Sequence, residues 1–329
     1  MTLVISPKLR PDLKKLMELR NSYAEKATEE FLSEKKSQGI IISEKELLSD
    51  PKIALEYQRY LSGYISLKRN ALIPKDITLE RVDADGVPAE WIICPNAEKE
   101  KVLFHLFGGG YVMGKIETRR WLPFLMGRAS KIHSLLIEYR LAPEHPFPAA
   151  LEDSITAYRW LLSTGISSQK IILTGASAGG ALVVSTLLRL RELNLPLPAG
   201  AVLLSPWTDL ACTGESLESN AEYEPRITIP LLQGMAKLYH RDQSSKNPLV
   251  SPLYANLEKL PPMLIHAGNI ETLRDDSVRL ADRAKTAGID VILKIWEDMP
   301  HVFQNYYNDL PESNQSIENI GRFIQKVLN

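Results

Sequence analysis

The chain has little cysteine, no long apolar run and almost no net charge. Its two cysteines, Cys94 and Cys212, stand far apart and outside any Cys-x-x-Cys pattern. That argues against a disulfide framework or a zinc site and reads as two buried thiols, with no metal called for. No stretch nears the roughly 18 consecutive apolar residues of a membrane span. The apolar run in Met-Thr-Leu-Val-Ile-Ser-Pro at the start is too short for a signal-peptide core. A cytoplasmic protein with no stable membrane insertion is the resulting expectation. Lys and Arg number 39 against 40 Asp and Glu, a formal net charge of -1. Such balance removes any whole-molecule electrostatic argument for nucleic acid or an anionic membrane as partner and favours a small, weakly charged substrate.

What is present is a change of rhythm along 329 residues. From Pro11 to Lys68 the sequence is charge-rich, with apolar residues at helical spacing in Leu13, Leu16, Met17, Tyr23, Ala27 and Phe31, which predicts two or three amphipathic helices. After Pro74 come short strand patterns, Ile77–Val82, Ala89–Cys94 and Val102–Phe107, the first two joined by the turn signal Asp85-Gly86. Apolar strands then alternate with helices: strands at Ser134–Glu138, Ile171–Leu173, Ala201–Leu204, Met263–His266 and Val291–Trp296, helices near Ala149–Leu162, Ala178–Leu193 and Arg274–Ala287, and a closing helix from about Gln315. This alternation implies an α/β fold with a mostly parallel sheet covered on both faces. The expected organisation is a helical cap over residues 1–74 and a catalytic domain over 75–329, with 210–254 a helical excursion contributing to the lid.

The candidate chemistry centres on Gly175-Ala176-Ser177-Ala178-Gly179, where a buried strand runs straight into a helix. A serine on that sharp turn lifts its hydroxyl clear, and glycines two before and two after relieve the collision. The five-residue string arises by chance in roughly one chain in ten of this length, so its partners decide the reading. A serine hydroxyl needs a base, and the base an orienting carboxylate. Of six histidines, His301 follows a strand on a loop, where open α/β sheets place their chemistry. His105, His133, His145, His240 and His266 read as structural. The chain order serine, acid, histidine directs the search to Gly268–Asp276. Glu271 is the favoured acid. Asp275 is held in reserve, because it and Asp276 fall in a helix's first turn, where acidic residues are stabilising for dipole reasons alone. Gly108-Gly109-Gly110 follows the third strand, where Gly108 and Gly109 can present backbone N–H groups to an oxyanion, completed by Ala178 N–H. A phosphate loop is disfavoured, since neither a Gly-Lys-Ser/Thr ending nor Gly-x-Gly-x-x-Gly spacing follows.

Tyr139-Arg-Leu-Ala-Pro-Glu-His-Pro-Phe-Pro-Ala-Ala150, the elbow with its extra Gly180, Ser205-Pro-Trp-Thr-Asp209 and Asp298-Met-Pro-His301 occur in order over residues 75–329. Together they resemble the hormone-sensitive-lipase-like family of α/β-hydrolases, the bacterial and archaeal carboxylesterase group. The resemblance implies a Ser177–His301–Glu271 triad and an oxyanion hole of Gly108, Gly109 and Ala178. It also implies a small-molecule ester of short to medium chain as substrate, no cofactor, and a homodimer through the sheet edge. The alternatives on the same fold are an amidase or lactonase using the same site, and a non-catalytic ligand-binding protein. This chain departs from the family pattern at three positions: Phe107 replaces the histidine of the glycine motif, Ala176 replaces Asp or Thr, and Glu271 stands for the commoner Asp. Loss of the motif histidine removes a side chain that would pin the glycine loop by hydrogen bonding and leaves open what holds it instead.

Overall fold

The computed structural model describes residues 3–224 and 226–329. Eight strands form one sheet: β1 Thr78–Asp83, β2 Pro88–Ile93, β3 Glu98–Leu106, β4 Ile132–Ile137, β5 Ile171–Ala176, β6 Gly200–Leu204, β7 Met263–Gly268 and β8 Val291–Trp296. Their spatial order is β1-β2-β4-β3-β5-β6-β7-β8. The first two pairings, β1 with β2 and β2 with β4, are antiparallel, and all others are parallel. Every residue of β4, β5, β6 and β7 is buried. Continuous apolar runs are what strands covered on both faces require. The edge strand β8 alternates instead, with Ile292 and Lys294 exposed.

The helices are α1 Pro11–Ser37, α2 Glu44–Ser49, α3 Pro51–Asn70, α4 Ile116–Arg119, α5 Trp121–Ser130, α6 Ala149–Ser163, α7 Ala178–Glu192, α8 Ser216–Ser219, α9 Ile229–His240, α10 Arg274–Thr286 and α11 Pro311–Leu328. On the sheet, α5 packs with α11 and α6 with α7. Helix α7 carries almost no polar side chain before Arg189 and is buried along nearly its whole length between β5, β6 and α6.

Start signals are explicit in the N-terminal region. Asp50 caps α3 by accepting from the N–H groups of Lys52 and Ile53, and Pro51 occupies the first helical position, where its missing N–H costs nothing. Helices α1, α2 and α3 build a core of their own around Ala24, Ala27, Phe31, Leu47, Tyr57 and Leu61. The beginning of α1 instead buries Leu13 and Met17 against Trp296, Met299, Phe303 and Tyr306. The N-terminal helix is thereby tied to the chain that follows β8.

The boundaries depart from expectation in places. Strand β3 begins at Glu98, through a charged stretch whose Lys101 is buried against Glu98 and Asn329. Helix α11 begins at Pro311, not near Gln315. Cys94 is buried, but Cys212 is only half-buried.

Candidate active site

Ser177 stands between β5 and α7, as the residue that caps the helix, with φ of 54° and ψ of -125°. This left-handed-side conformation is rare for a residue with a Cβ, and the surroundings enforce it. The Ser177 N–H donates to the Leu204 carbonyl, while its own carbonyl accepts from Gly180 and Trp207. The turn is so tight that a Cβ on Gly179 would strike the carbonyl oxygens of Leu106 and Phe107. Only glycine allows α7 to approach β3 this closely.

The glycine loop after β3 faces the same point. Gly109 has φ of +143°, and a side chain there would run into the Met113 carbonyl. Gly108, Gly109 and Ala178 N–H groups donate to no acceptor among the described residues. For Ala178 this is the ordinary condition of a helix's first turn. The structure holds this loop without the motif histidine. The Phe107 ring stacks on Tyr139 at 4.3 Å between centroids, and Tyr139 donates its hydroxyl to the Phe107 carbonyl at 2.6 Å. Arg119 donates to the Gly108 carbonyl at 3.2 Å and is itself anchored by Ser62 and Ser66 of α3. An aromatic stack and two charged or polar donors do the work expected of one imidazole.

His301 lies on the loop after β8, between Asp298 and Val302, both of positive φ. It lines the cavity that also holds Ser177, Gly108 and Gly109. Its Nδ1 is 3.5 Å from Oε2 of Glu271, which sits on the turn between β7 and α10 and is wholly buried. Glu271 Oε1 and His301 Nδ1 have no hydrogen-bond partner among the described residues. Glu271 Oε2 accepts from the Ser205 hydroxyl at 2.6 Å, and the same hydroxyl accepts from Val302 N–H at 3.0 Å. Asn220 of the 210–254 segment donates to the Glu271 carbonyl, fixing the turn from the other side.

His301 is also gripped by its backbone. Its N–H donates to Glu224 at 2.7 Å, and its carbonyl accepts from Arg226 at 2.8 Å, while Glu224 and Arg226 form an ion pair at 2.8 Å. Despite burial, Arg226 beside it and the His301 N–H hold the Glu224 carboxyl below its ordinary range. Ser205 entered the sequence reading only as the first residue of a motif, with no role assigned, and Asn220, Glu224 and Arg226 were not singled out from sequence. Only the chain reversals at the sheet's C-terminal edge bring them beside residues tens of positions away.

Of the remaining residues, His105 lines the same cavity, whereas Asp275, Asp276 and His266 do not. Asp275 accepts from Ser216 N–H and pairs with Arg274, both at 2.9 Å. Asp276 is buried against Thr208, Asp209 and Arg279. His105 and His266 bond Thr174 and Ser316, and burial pushes each imidazole down to about 3. Both imidazoles are therefore neutral near pH 7.

The cavity, of about 270 Å³, is lined on its apolar side by Leu61 and Ile65 of α3 and by Leu231, Leu232 and Met235 of α9. No helix is long and apolar enough to cross a membrane among the described residues.

A strained serine between strand and helix, under a glycine loop and beside a histidine–carboxylate pair, is the site of an α/β-hydrolase. The comparisons agree: residues 102–305 match the family described as alpha/beta hydrolase fold, and the chain belongs to it. Within it, the chain falls in the hormone-sensitive-lipase-like branch. It superposes on an esterase from the bacterial hormone-sensitive lipase family with a TM-score of 0.81 and 44% identity, covering 84% of this chain and 92% of that one. An esterase/lipase from an uncultured bacterium gives a TM-score of 0.81 at 37% identity over 97% of this chain and 99% of that one. Among named relatives, an acetyl-hydrolase of Streptomyces hygroscopicus is 40% identical over 72% of this chain and 79% of its own length. An esterase of Acinetobacter venetianus is 35% identical over 77% and 84%.

Proposed function

We propose that the chain is a carboxylesterase that works through an acyl-enzyme on Ser177. The observation that carries this reading is the convergence in one cavity of the strained Ser177, the free N–H groups of the glycine loop and His301 backed by buried Glu271. His301 takes the proton of the Ser177 hydroxyl as the oxygen attacks an ester carbonyl. Gly108, Gly109 and Ala178 N–H groups receive the oxyanion, each such donor being worth roughly 2.7–4 kcal/mol in comparable sites. His301 then protonates the departing alcohol, and water repeats the sequence to free the acid.

Glu271 holds the imidazole by Nδ1 and stabilises its charged form. The 3.5 Å separation is long for a hydrogen bond. Because both the facing Nδ1 and the second carboxylate oxygen are buried without partners, a small closing movement satisfies them as charge develops. The apolar roof of α3 and α9 and the modest cavity support short to medium acyl chains. Ser177→Ala should reduce turnover of a para-nitrophenyl ester by at least about a thousandfold with the thermal unfolding midpoint nearly unchanged. Retained turnover, or failure of a serine-directed phosphonate to label the wild type, would sink the assignment.

A further inference from the structure

The cavity around Ser177 has an uneven charge. Among the described residues four arginines, Arg20, Arg69, Arg119 and Arg226, line it, and no Asp or Glu does. Two of the four are committed to the framework: Arg119 to the Gly108 carbonyl and α3, Arg226 to Glu224 and the His301 carbonyl. The other two are not. The Arg69 side chain makes no hydrogen bond or ion pair among the described residues, and its guanidinium lies 5.4 Å from the centroid of the Tyr306 ring. Arg20 Nη1 is buried with no partner.

Neither arrangement is cheap. A buried donor without an acceptor forfeits its hydration, and like charges held together in a partly desolvated site repel. Burial, followed by the neighbouring Arg226, pushes Arg20 down to about 10, and burial likewise lowers Arg69. A guanidinium keeps its proton in proteins, so both side chains carry charge into the cavity. The nearest relief is incomplete, since Glu224 is already paired with Arg226 and Asp309 forms no ion pair with Arg69. Arg20 is one helical turn beyond Met17, whose packing against Phe303 and Tyr306 points this face of α1 at the loop carrying His301. Arg69 comes to the same ring from the end of α3. Two helices thus deliver uncommitted guanidiniums to one side of the cavity that contains the candidate nucleophile.

We propose that Arg20 and Arg69 form an anion subsite, and that the preferred substrate is an ester carrying a carboxylate or phosphate-type group several bonds from the scissile carbonyl. This rests on the esterase reading above and specifies the substrate class for it. Guanidinium groups suit such oxyanions because their planar N–H forks match two oxygens at once, and their partial burial strengthens the pairing.

The test compares kcat/KM for para-nitrophenyl esters of nearly equal size: the glutarate monoester with its free carboxylate, the neutral methyl glutarate ester, and the phosphonate analogue of the first. A second pair, para-acetoxybenzoate against its methyl ester, moves the anion to the leaving-group side. Rates are normalised to alkaline hydrolysis. At least one anionic ester should exceed its neutral counterpart by about tenfold, as a charge-assisted contact provides. The stronger of the carboxylate and phosphonate arms identifies the group. Arg20→Gln and Arg69→Gln should each lower the anionic-to-neutral ratio about tenfold. No preference in the wild type, or a loss in the variants that falls equally on both esters, overturns the proposal. If no ester is hydrolysed, it is the esterase reading that has failed. The subsite is then tested by thermal shift with glutarate and inorganic phosphate: a stabilisation lost in Arg20→Gln supports it, and no stabilisation overturns it.

Discussion

Phe107 is where the sequence pattern and the structure differ most instructively. A histidine in the glycine motif would hold the loop by hydrogen bonding. In its place the ring of Phe107 is buried against Tyr139, whose hydroxyl takes the Phe107 carbonyl. Because the loop is already held, restoring the histidine has nothing to repair. Phe107→His should leave kcat on a neutral para-nitrophenyl ester unchanged or lower it, and should cost stability through the lost stack, worth about 0.5–1.5 kcal/mol. Tyr139→Phe should be the more damaging change to kcat, since it strands a buried carbonyl oxygen beside Gly108 at a cost of about 1–3 kcal/mol. Steady-state kinetics of the two variants decides the matter, and a raised kcat in Phe107→His would show a loop that is under-held after all.

At the scale of elements, the eight strands were legible because central parallel strands are short apolar runs closed by Gly, Pro or a helix start. The elbow was legible for a steric reason: its glycines are demanded by backbone contact, and that demand is written in five consecutive residues. The start of α11 was not, because Pro311-Glu-Ser-Asn reads equally well as a loop, and its buried Ser313 and Ser316 find acceptors and donors only in the fold. The order β1-β2-β4-β3 was equally hidden, since strand pairing is not a local property. The grip of Glu224 on His301 spans 77 positions and leaves no periodic trace. Where an element depends on backbone contact, a single atom should break it. Gly179→Ala places a Cβ against the Leu106 and Phe107 carbonyl oxygens, neither of which can swing aside. It should displace α7 from β3, lower stability by about 1–3 kcal/mol and abolish labelling of Ser177 by a phosphonate. A variant with the wild-type urea midpoint would mean that the elbow has slack.

Across the whole molecule, the near-zero net charge conceals sharply uneven local charge, which composition cannot reveal. One extreme is the arginine-lined cavity. The other lies across the sheet's C-terminal edge, where Asp209 and Asp276 are buried together with only Arg279 between them. Burial, and then the neighbouring Asp209, raises the Asp276 carboxyl to about 7, whereas Asp209 is kept below its usual range against its burial by Thr213, Tyr254 and Arg279. The sign of the consequence follows from proton counting. An unfolded Asp titrates near 3.9, so between that pH and about 7 the native state holds a proton on Asp276 that the unfolded state has lost. The stability this contributes is complete at pH about 4 and is lost as pH rises through about 7. Asp209 works in the opposite sense only at lower pH, below the unfolded carboxyl range, and does not offset it between pH about 5 and 8. Urea denaturation across that range should therefore show the wild type losing ground relative to Asp276→Asn by up to about 1.4 kcal/mol per pH unit. The asparagine keeps an acceptor for Thr208 and Asp209 N–H without a titrating proton. Parallel stability curves for the two proteins would mean that Asp276 is already ionised at pH about 5, with Arg279 compensating both carboxylates.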